Sequence, residues 1–354
     1  MRIGIDTQST LGRKTGIGLY TANLLRALRR VAPQHEYVEL AWGRTKELRT
    51  DQRLWWEQVE LPRRARAAKV DLLHLTGFGA PRWRLCPTLL TVHDLIGVLF
   101  PTNLPPISRF YWSRWLPRTI RWADQVIADS EHTRRDLIRL LGIPAERIEV
   151  VYLGVDEAFC PLEDSAALEA VRQKYGLPPA IILYVGTIEP RKGLDTLIAA
   201  YAALATEMPH HLVIAGKRGW YTEPLFRQVE ALGLGQRVHF TDYVADEDLL
   251  GLYNLANLFV YPSRYEGFGL PPLEAMACGV PVVCSNAASL PEVVGDAALL
   301  VPPDDVKALA AAMRRALNNE ALRAEMRAKG LERARGFTWE ETARRTAEIY
   351  ERMR

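Results

Sequence analysis

Short apolar runs alternate with longer amphipathic segments along nearly the whole chain. In the first half the runs fall at residues 2–6, 37–41, 72–75, 88–92, 125–128 and 149–152. In the second they fall at 181–185, 212–215, 238–241, 258–261, 280–284 and 298–301. Runs this short and apolar suit strands buried on both faces, and the segments between most of them carry helical periodicity. Strands alternating with helices predict parallel sheets joined by crossover helices. Two such series predict an α/β chain of two doubly wound, Rossmann-like domains.

The division is expected near residues 159–179. There Pro161, Glu163 and Asp164 precede a short helix over 167–175, and Pro178-Pro179 precede the next strand. This sets domains at 1–163 and 164–338, followed by an amphipathic tail helix at 339–354. In the second half, polar and glycine-rich clusters follow the strands at once, at 186–193, 216–219, 263–269 and 285–286. Ligands of open α/β sheets bind outside the carboxyl ends of the strands, so these clusters are expected to line one crevice.

Composition narrows the class. The 354 residues are 48% hydrophobic and 25% charged, enough apolar material for two cores in a soluble globular protein. No uncharged apolar run reaches membrane-spanning length and no signal peptide precedes the first strand, so a cytoplasmic protein is expected. Cys86, Cys160, Cys278 and Cys284 form no C-x-x-C pair and no zinc pattern, and are expected to be reduced and structural. The net charge of +3 is uneven: residues 1–160 carry 24 Lys/Arg against 17 Asp/Glu. A basic first half suits an anionic membrane surface or a phosphorylated acceptor, and equally an ordinary Arg-rich surface. No nucleic-acid partner is expected.

The stretch 266–274 (EGFGLPPLE) opens a predicted helix. Its glycines permit close backbone approach, and amides at a helix start attract anions, so the loop suits a diphosphate. Glu274 lies on the helix, where a carboxylate can accept bonds from two vicinal ribose hydroxyls. A tight turn followed by an acid favoured by the helix dipole gives the same pattern. Arg191-Lys192-Gly193 follows the run 181–185. Two cations there can neutralise a leaving diphosphate as its charge develops, or can form a solvated loop. Lys217-Arg218 lies on the same expected rim. In the first half, His93-Asp94 ends a strand. That histidine can face a sugar hydroxyl, though a buried ring satisfied by backbone is the plainer reading. Gly16-Ile17-Gly18 is part of a dinucleotide fingerprint with Thr21 at the third glycine position, or a loop closing over a phosphate. The stretch 109–122 (RFYWSRWLPRTIRW) puts Arg114, Arg118 and Arg121 on one helical face beside Tyr111, Trp112, Trp115 and Trp122. It suits a membrane interface or a helix packing its aromatics inward.

Together these segments resemble the retaining GT-B glycosyltransferases of family GT4. The likeness runs through TGIGLYTANLL, TVHDL, ADSEHTRRDL and VYLGVD, then YVGTIEPRKGLDTLIAAY, HLVIAGKRGW, HFTDYVADEDL, YPSRYEGFGLPPLEAMACGVPVV and SLPEVVGDAALLV. It implies two Rossmann-like domains facing across a cleft, with the tail helix returning to the first. It implies that Glu274 binds the donor ribose and Glu266 the transferred sugar. Amides of Phe268, Gly269 and Leu270, beside Gly267, hold diphosphate and sugar, and Arg191 or Lys192 neutralises the diphosphate. His93 contacts the sugar, Gly16 and Gly18 approach the phosphates, and the base lies against Lys217, Arg218, Tyr243 and Val244. Many members carry an Arg directly after the glycine that stands here as Gly186; this chain has Thr187.

The segment GTIEPRK resembles bacterial mannosyltransferases using GDP-mannose, with a glycan or polyprenyl-diphosphate-linked acceptor in cell-surface polysaccharide or glycolipid synthesis. A UDP-sugar donor is the alternative. Asp246-Glu247-Asp248 opens a helix and no Asp-x-Asp stands at a strand end. No metal or other cofactor is therefore expected, the cations doing the electrostatic work. The resemblance implies retention by front-face attack, while the basic first half and the stretch 109–122 carry the expectation of a peripheral place on the inner face of the cell membrane. A sugar-nucleotide epimerase and a non-catalytic nucleotide-sugar-binding protein are the competing readings.

Overall fold

A computed structural model describes residues 1–11, 16–43, 48–83, 85–101, 106–217 and 222–354. The chain divides into two compact units: Met1–Gly154 together with Phe337–Arg354, and Val155–Gly336. The division thus precedes the expected one at 163/164. Residues 155–163 go with the second unit because Asn254 ties them there: its carbonyl oxygen accepts from Leu162 N (2.8 Å), and its amide donates to Cys160 O (3.0 Å).

The first unit contains β1 (Arg2–Asp6), β2 (Glu36–Leu40), β3 (Leu72–Leu75), β4 (Thr88–Val92), β5 (Gln125–Ala128) and β6 (Ile148–Val150). They form one six-stranded sheet in the order β2-β1-β3-β4-β5-β6, every pair parallel. β3 and β4 are buried at every position, as apolar runs covered by helices on both faces require. The tail helix Trp339–Arg352 packs on helix Gly16–Val31 of this unit. Tyr350 reaches His74 Nδ1 (2.6 Å), Thr342 donates to Tyr152 O (2.8 Å), and Trp339 meets Tyr20 edge-on.

The second unit contains β7 (Ile181–Val185), β8 (His211–Ala215), β9 (Val238–Asp242), β10 (Leu258–Tyr261), β11 (Val282–Ser285) and β12 (Ala298–Val301). Its parallel sheet runs β12-β11-β10-β7-β8-β9. The order reverses between β7 and β10, which is the switch point where open α/β sheets bind ligands. β11 starts two residues later than its apolar run. Gly279 turns the chain at φ +73°, and Val280 N still bonds Ala275 O, so Val280 closes the preceding helix.

The stretch 109–122 is not one regular helix. Helix Pro106–Phe110 passes through a π turn at Tyr111–Trp115 into helix Leu116–Ile120. Tyr111 is buried and donates to Glu57, and Trp115 and Trp122 pack edge-to-face. Arg114, Arg118 and Arg121 are exposed. Of the cysteines, Cys278 and Cys284 are buried and Cys160 is exposed, so a structural role does not extend to Cys160. Among the described residues, no helix is long and apolar enough to cross a membrane.

Candidate functional site

Two loops meet at the switch point of the second unit. The chain leaves β7 at Gly186, forms a short 3-10 turn at Pro190–Lys192, and enters helix Leu194–Ala202 through Gly193. Gly193 has φ +66°, and a Cβ there would lie 2.2 Å from Pro262 O in the loop after β10. Only glycine allows that approach. Arg264 N then bonds Arg191 O (2.8 Å), fastening the loops together. On the other side, Ile188 N bonds Lys217 O (3.1 Å), which brings in the loop after β8.

At their junction Glu266 is buried, 8% exposed. Its Oε1 accepts from Lys192 Nζ (2.7 Å) and Ser263 Oγ (2.5 Å), with Arg191 Nη1 at 3.0 Å. Lys192 also donates to Tyr261 Oη (2.8 Å), and Arg191 pairs with Glu189 and donates to Tyr265 O. Burial alone would raise the pKa of Glu266. Lys192 and Arg191 more than offset it and bring it to about 2. Burial lowers the pKa of Lys192, against the pull of Glu266.

From Glu266 the chain runs through Gly267 and Phe268 to Gly269, at φ +122°, and into helix Leu270–Ala277. Ser289 Oγ donates to Glu266 O (2.9 Å) and Phe268 O (2.6 Å), pinning the loop from the far side. Pro271 and Pro272 have no N–H, so amides at Gly269 and Leu270 supply the unsatisfied donors of this helix start. Glu274 lies one turn along. Its Oε2 accepts from Tyr253 Oη (2.7 Å), on helix Asp246–Asn254. Burial raises its pKa to about 7, the tyrosine bond opposing and Asp156 and Asp246 assisting.

The structure therefore brings Arg191, Lys192 and Glu266 into contact, with Glu274 on the helix leaving the same loop. Gly186 and Thr187 occupy the exit of β7. Gly186 N bonds Ala215 O (2.9 Å), and Thr187 is exposed. Val244 is buried after β9, while Tyr243 is exposed with its hydroxyl on Asp246 (3.1 Å). Arg218 lies outside the described residues. Tyr253, Tyr261, Ser263 and Ser289 hold the acids and their loop but were not singled out from sequence. Ser263 sits in a named strand-end cluster; the two tyrosines had no local signal.

In the first unit Gly16 and Gly18 begin helix Gly16–Val31, after β1. His93 follows β4, its Nδ1 2.6 Å from Asp129 Oδ2 and its Nε2 2.9 Å from Thr76 O. Both ring nitrogens have protein partners, one a side-chain carboxylate and one a backbone carbonyl, on a half-buried residue.

Comparison with known proteins decides the family. The models "Glycosyltransferase Family 4" and "Glycosyl transferases group 1" match residues 15–159 and 169–333. O-antigen chain mannosyltransferase B of Escherichia coli is 40% identical over 282 residues, 79% of this chain and 74% of that protein. The chain belongs to the family 4, group 1 glycosyltransferases. Serotype-specific mannosyltransferase WbdA of Escherichia coli is 36% identical over 75% of this chain, which spans only 33% of that longer protein. The solved structure of sucrose-phosphate synthase from Thermosynechococcus elongatus superposes with a TM-score of 0.79 at 25% identity, covering 99% of this chain and 98% of its own. The fold is thus GT-B, and the protein is a glycosyltransferase enzyme.

Proposed function

We propose that this glycosyltransferase moves mannose from GDP-mannose to a glycan or polyprenyl-diphosphate-linked acceptor, with retention at the anomeric carbon and without a metal. The observation that carries the reading is the pair of acids on one strand-end loop. Glu266 is held ionised among Arg191, Lys192 and Ser263, and Glu274 leans on Tyr253 eight residues on. The mannosyltransferase names of the two Escherichia coli relatives support the choice of sugar.

In this reading Glu274 Oε1 and the remaining acceptor capacity of Oε2 take the two ribose hydroxyls. The amides at Phe268, Gly269 and Leu270 hold the diphosphate and sugar. Arg191 and Lys192 are matched by Glu189 and Glu266 before substrate arrives. A diphosphate competes for these cations, and its charge grows as the glycosidic bond breaks, so their attraction is strongest in the transition state. The leaving phosphate oxygen takes the acceptor hydroxyl proton as that hydroxyl attacks from the same face. Glu266 Oε2 faces the sugar while Oε1 keeps Lys192 in place.

The test is transfer to a lipid-linked glycan acceptor from GDP-mannose and from UDP-sugars, with chelator present and the product linkage assigned by NMR. Transfer from GDP-mannose with an α-linked product supports the reading. Turnover with UDP-sugars alone, or only with added metal, overturns it. Donor conversion without acceptor would point to an epimerase.

The first unit also supports peripheral binding to an anionic membrane. Ile107 (69% exposed) and Phe110 (51%) stand out beside exposed Arg109 and Arg114. Flotation with anionic vesicles at low salt, lost at high salt, supports this. No flotation at low salt removes it.

A further inference from the structure

We propose that the first unit carries a site for the phosphate of an anionic lipid at the amino edge of its sheet, built by Arg82, Arg121 and Arg147. The order β3-β4-β5-β6 sets the amino ends of three parallel strands side by side. Each strand is preceded by one of these arginines: Arg82 ahead of β4, Arg121 ahead of β5, and Arg147 directly before β6. With Trp122 and Asp124 they line a cavity of about 320 Å³, a volume that admits a small ligand. His93 leaves β4 at the opposite, carboxyl edge, so the cavity is separate from the loops there.

Two of the arginines are fixed by bonds that leave their charge uncompensated. Arg147 Nε donates to Asp124 O (3.2 Å), and its Nη2 donates to Arg121 O (3.2 Å) and Ala123 O. Arg121 Nε donates to Leu141 O (3.0 Å). Carbonyl acceptors hold a guanidinium plane in place without neutralising it. Among the described residues, no carboxylate forms an ion pair with Arg82, Arg121 or Arg147. Asp124, the acid of the lining, turns Oδ2 to Thr88 N (2.9 Å). Three guanidinium groups around one cavity repel one another, and an anion between them relieves that repulsion. Their planar forks suit phosphate oxygens. The chain beside Arg82 adds the second half of the argument: Trp83 is 74% exposed and Leu85 48%. An indole and a leucine standing in solvent next to a phosphate-binding cation suit an anion that carries an apolar chain.

The proposal deepens the membrane reading by naming a headgroup site, and a soluble probe tests the two apart. The intact protein is titrated by calorimetry with dihexanoyl phosphatidic acid below its micelle concentration, with dihexanoyl phosphatidylcholine, and with inorganic phosphate. Phosphatidic acid should bind about 10-fold more tightly than phosphate, and phosphatidylcholine, whose choline carries a positive charge, should not bind. Arg82→Gln and Arg121→Gln should each weaken phosphatidic acid binding about 5- to 10-fold and reduce its dependence on salt. Trp83→Ser should lower affinity for the lipid and leave that for phosphate unchanged. A double variant, Ile107→Ser with Phe110→Ser, should bind the short lipid as the wild type does, because neither side chain lines the cavity. Equal affinity for phosphate and phosphatidic acid, unchanged affinity in both arginine variants, or no binding of either anion overturns the proposal. If the short lipid binds and the arginine variants weaken it while the protein fails to float with anionic vesicles, the membrane reading falls and the site stands.

Discussion

Glu266 and Glu274 belong to one loop and the helix it enters, Glu266 buried and Glu274 half-buried. Their surroundings then diverge. Glu266 faces two cations and a serine hydroxyl and is held near pKa 2. Glu274 faces one neutral tyrosine hydroxyl with Asp156 and Asp246 in range, and is pushed to about 7. A permanently charged acid organises cations, as transition-state stabilisation of a diphosphate requires. An acid near neutrality binds hydroxyl donors well only when ionised, so its end of the site is the pH-sensitive one. Under the proposed function, one motif divides into an electrostatic end and a recognition end.

The largest effect should come from breaking the electrostatic end. Lys192→Ala leaves Glu266 buried with one fewer cation, and kcat should fall about 10²- to 10³-fold with donor KM changed far less. Steady-state kinetics read this directly, and equal losses in affinity would erase the distinction between the ends. Glu274→Ala should do the reverse, weakening nucleotide binding by about 10- to 100-fold, the worth of hydrogen bonds to a charged acceptor. Isothermal titration with the nucleoside diphosphate measures it.

The pH prediction has a definite sign. Glu274, raised to about 7, takes up a proton as pH falls through 7 and loses acceptor strength. Nucleotide affinity of the wild type should therefore drop about tenfold from pH 8 to pH 6, and that of Glu274→Gln should stay flat. Glu266 contributes no slope in this window because it ionises near pH 2. A slope that survives in Glu274→Gln would assign the titration elsewhere. The smallest effect sharpens the comparison: Tyr253→Phe removes the tyrosine donor to Glu274 and should weaken nucleotide binding by a few-fold, about 1 kcal/mol. It should also move the midpoint of the pH dependence upward.

Much of the fold was legible because parallel strands buried on both faces must be apolar throughout, and the runs recorded this almost residue by residue. β11 is instructive: Val280 and Pro281 look like strand but serve the turn at Gly279, because apolarity does not distinguish a buried turn from a buried strand. The stretch 109–122 left two readings open, a membrane interface and aromatics packed inward. Tyr111 follows the second, finding a buried acceptor in Glu57, far away in sequence. His93 had a plain reading, a buried ring held by backbone, and a functional one; the ring is half-buried and held by the Asp129 carboxylate as well as Thr76 O, a partner far away in sequence.

By itself the sequence determined the α/β class, the two parallel sheets, and the presence of two acids, two cations and a glycine turn at strand ends. These are properties of local periodicity and of short spacings along one chain. Tertiary structure alone decided which oxygen meets which cation, that Tyr253 supports Glu274, and that Asp129 faces His93. It also decided that Glu266 and Glu274 ionise some five pH units apart, about 2 against about 7. A pKa depends on what surrounds a carboxylate in three dimensions, and those neighbours come from strands and helices that only the folded sheet brings side by side.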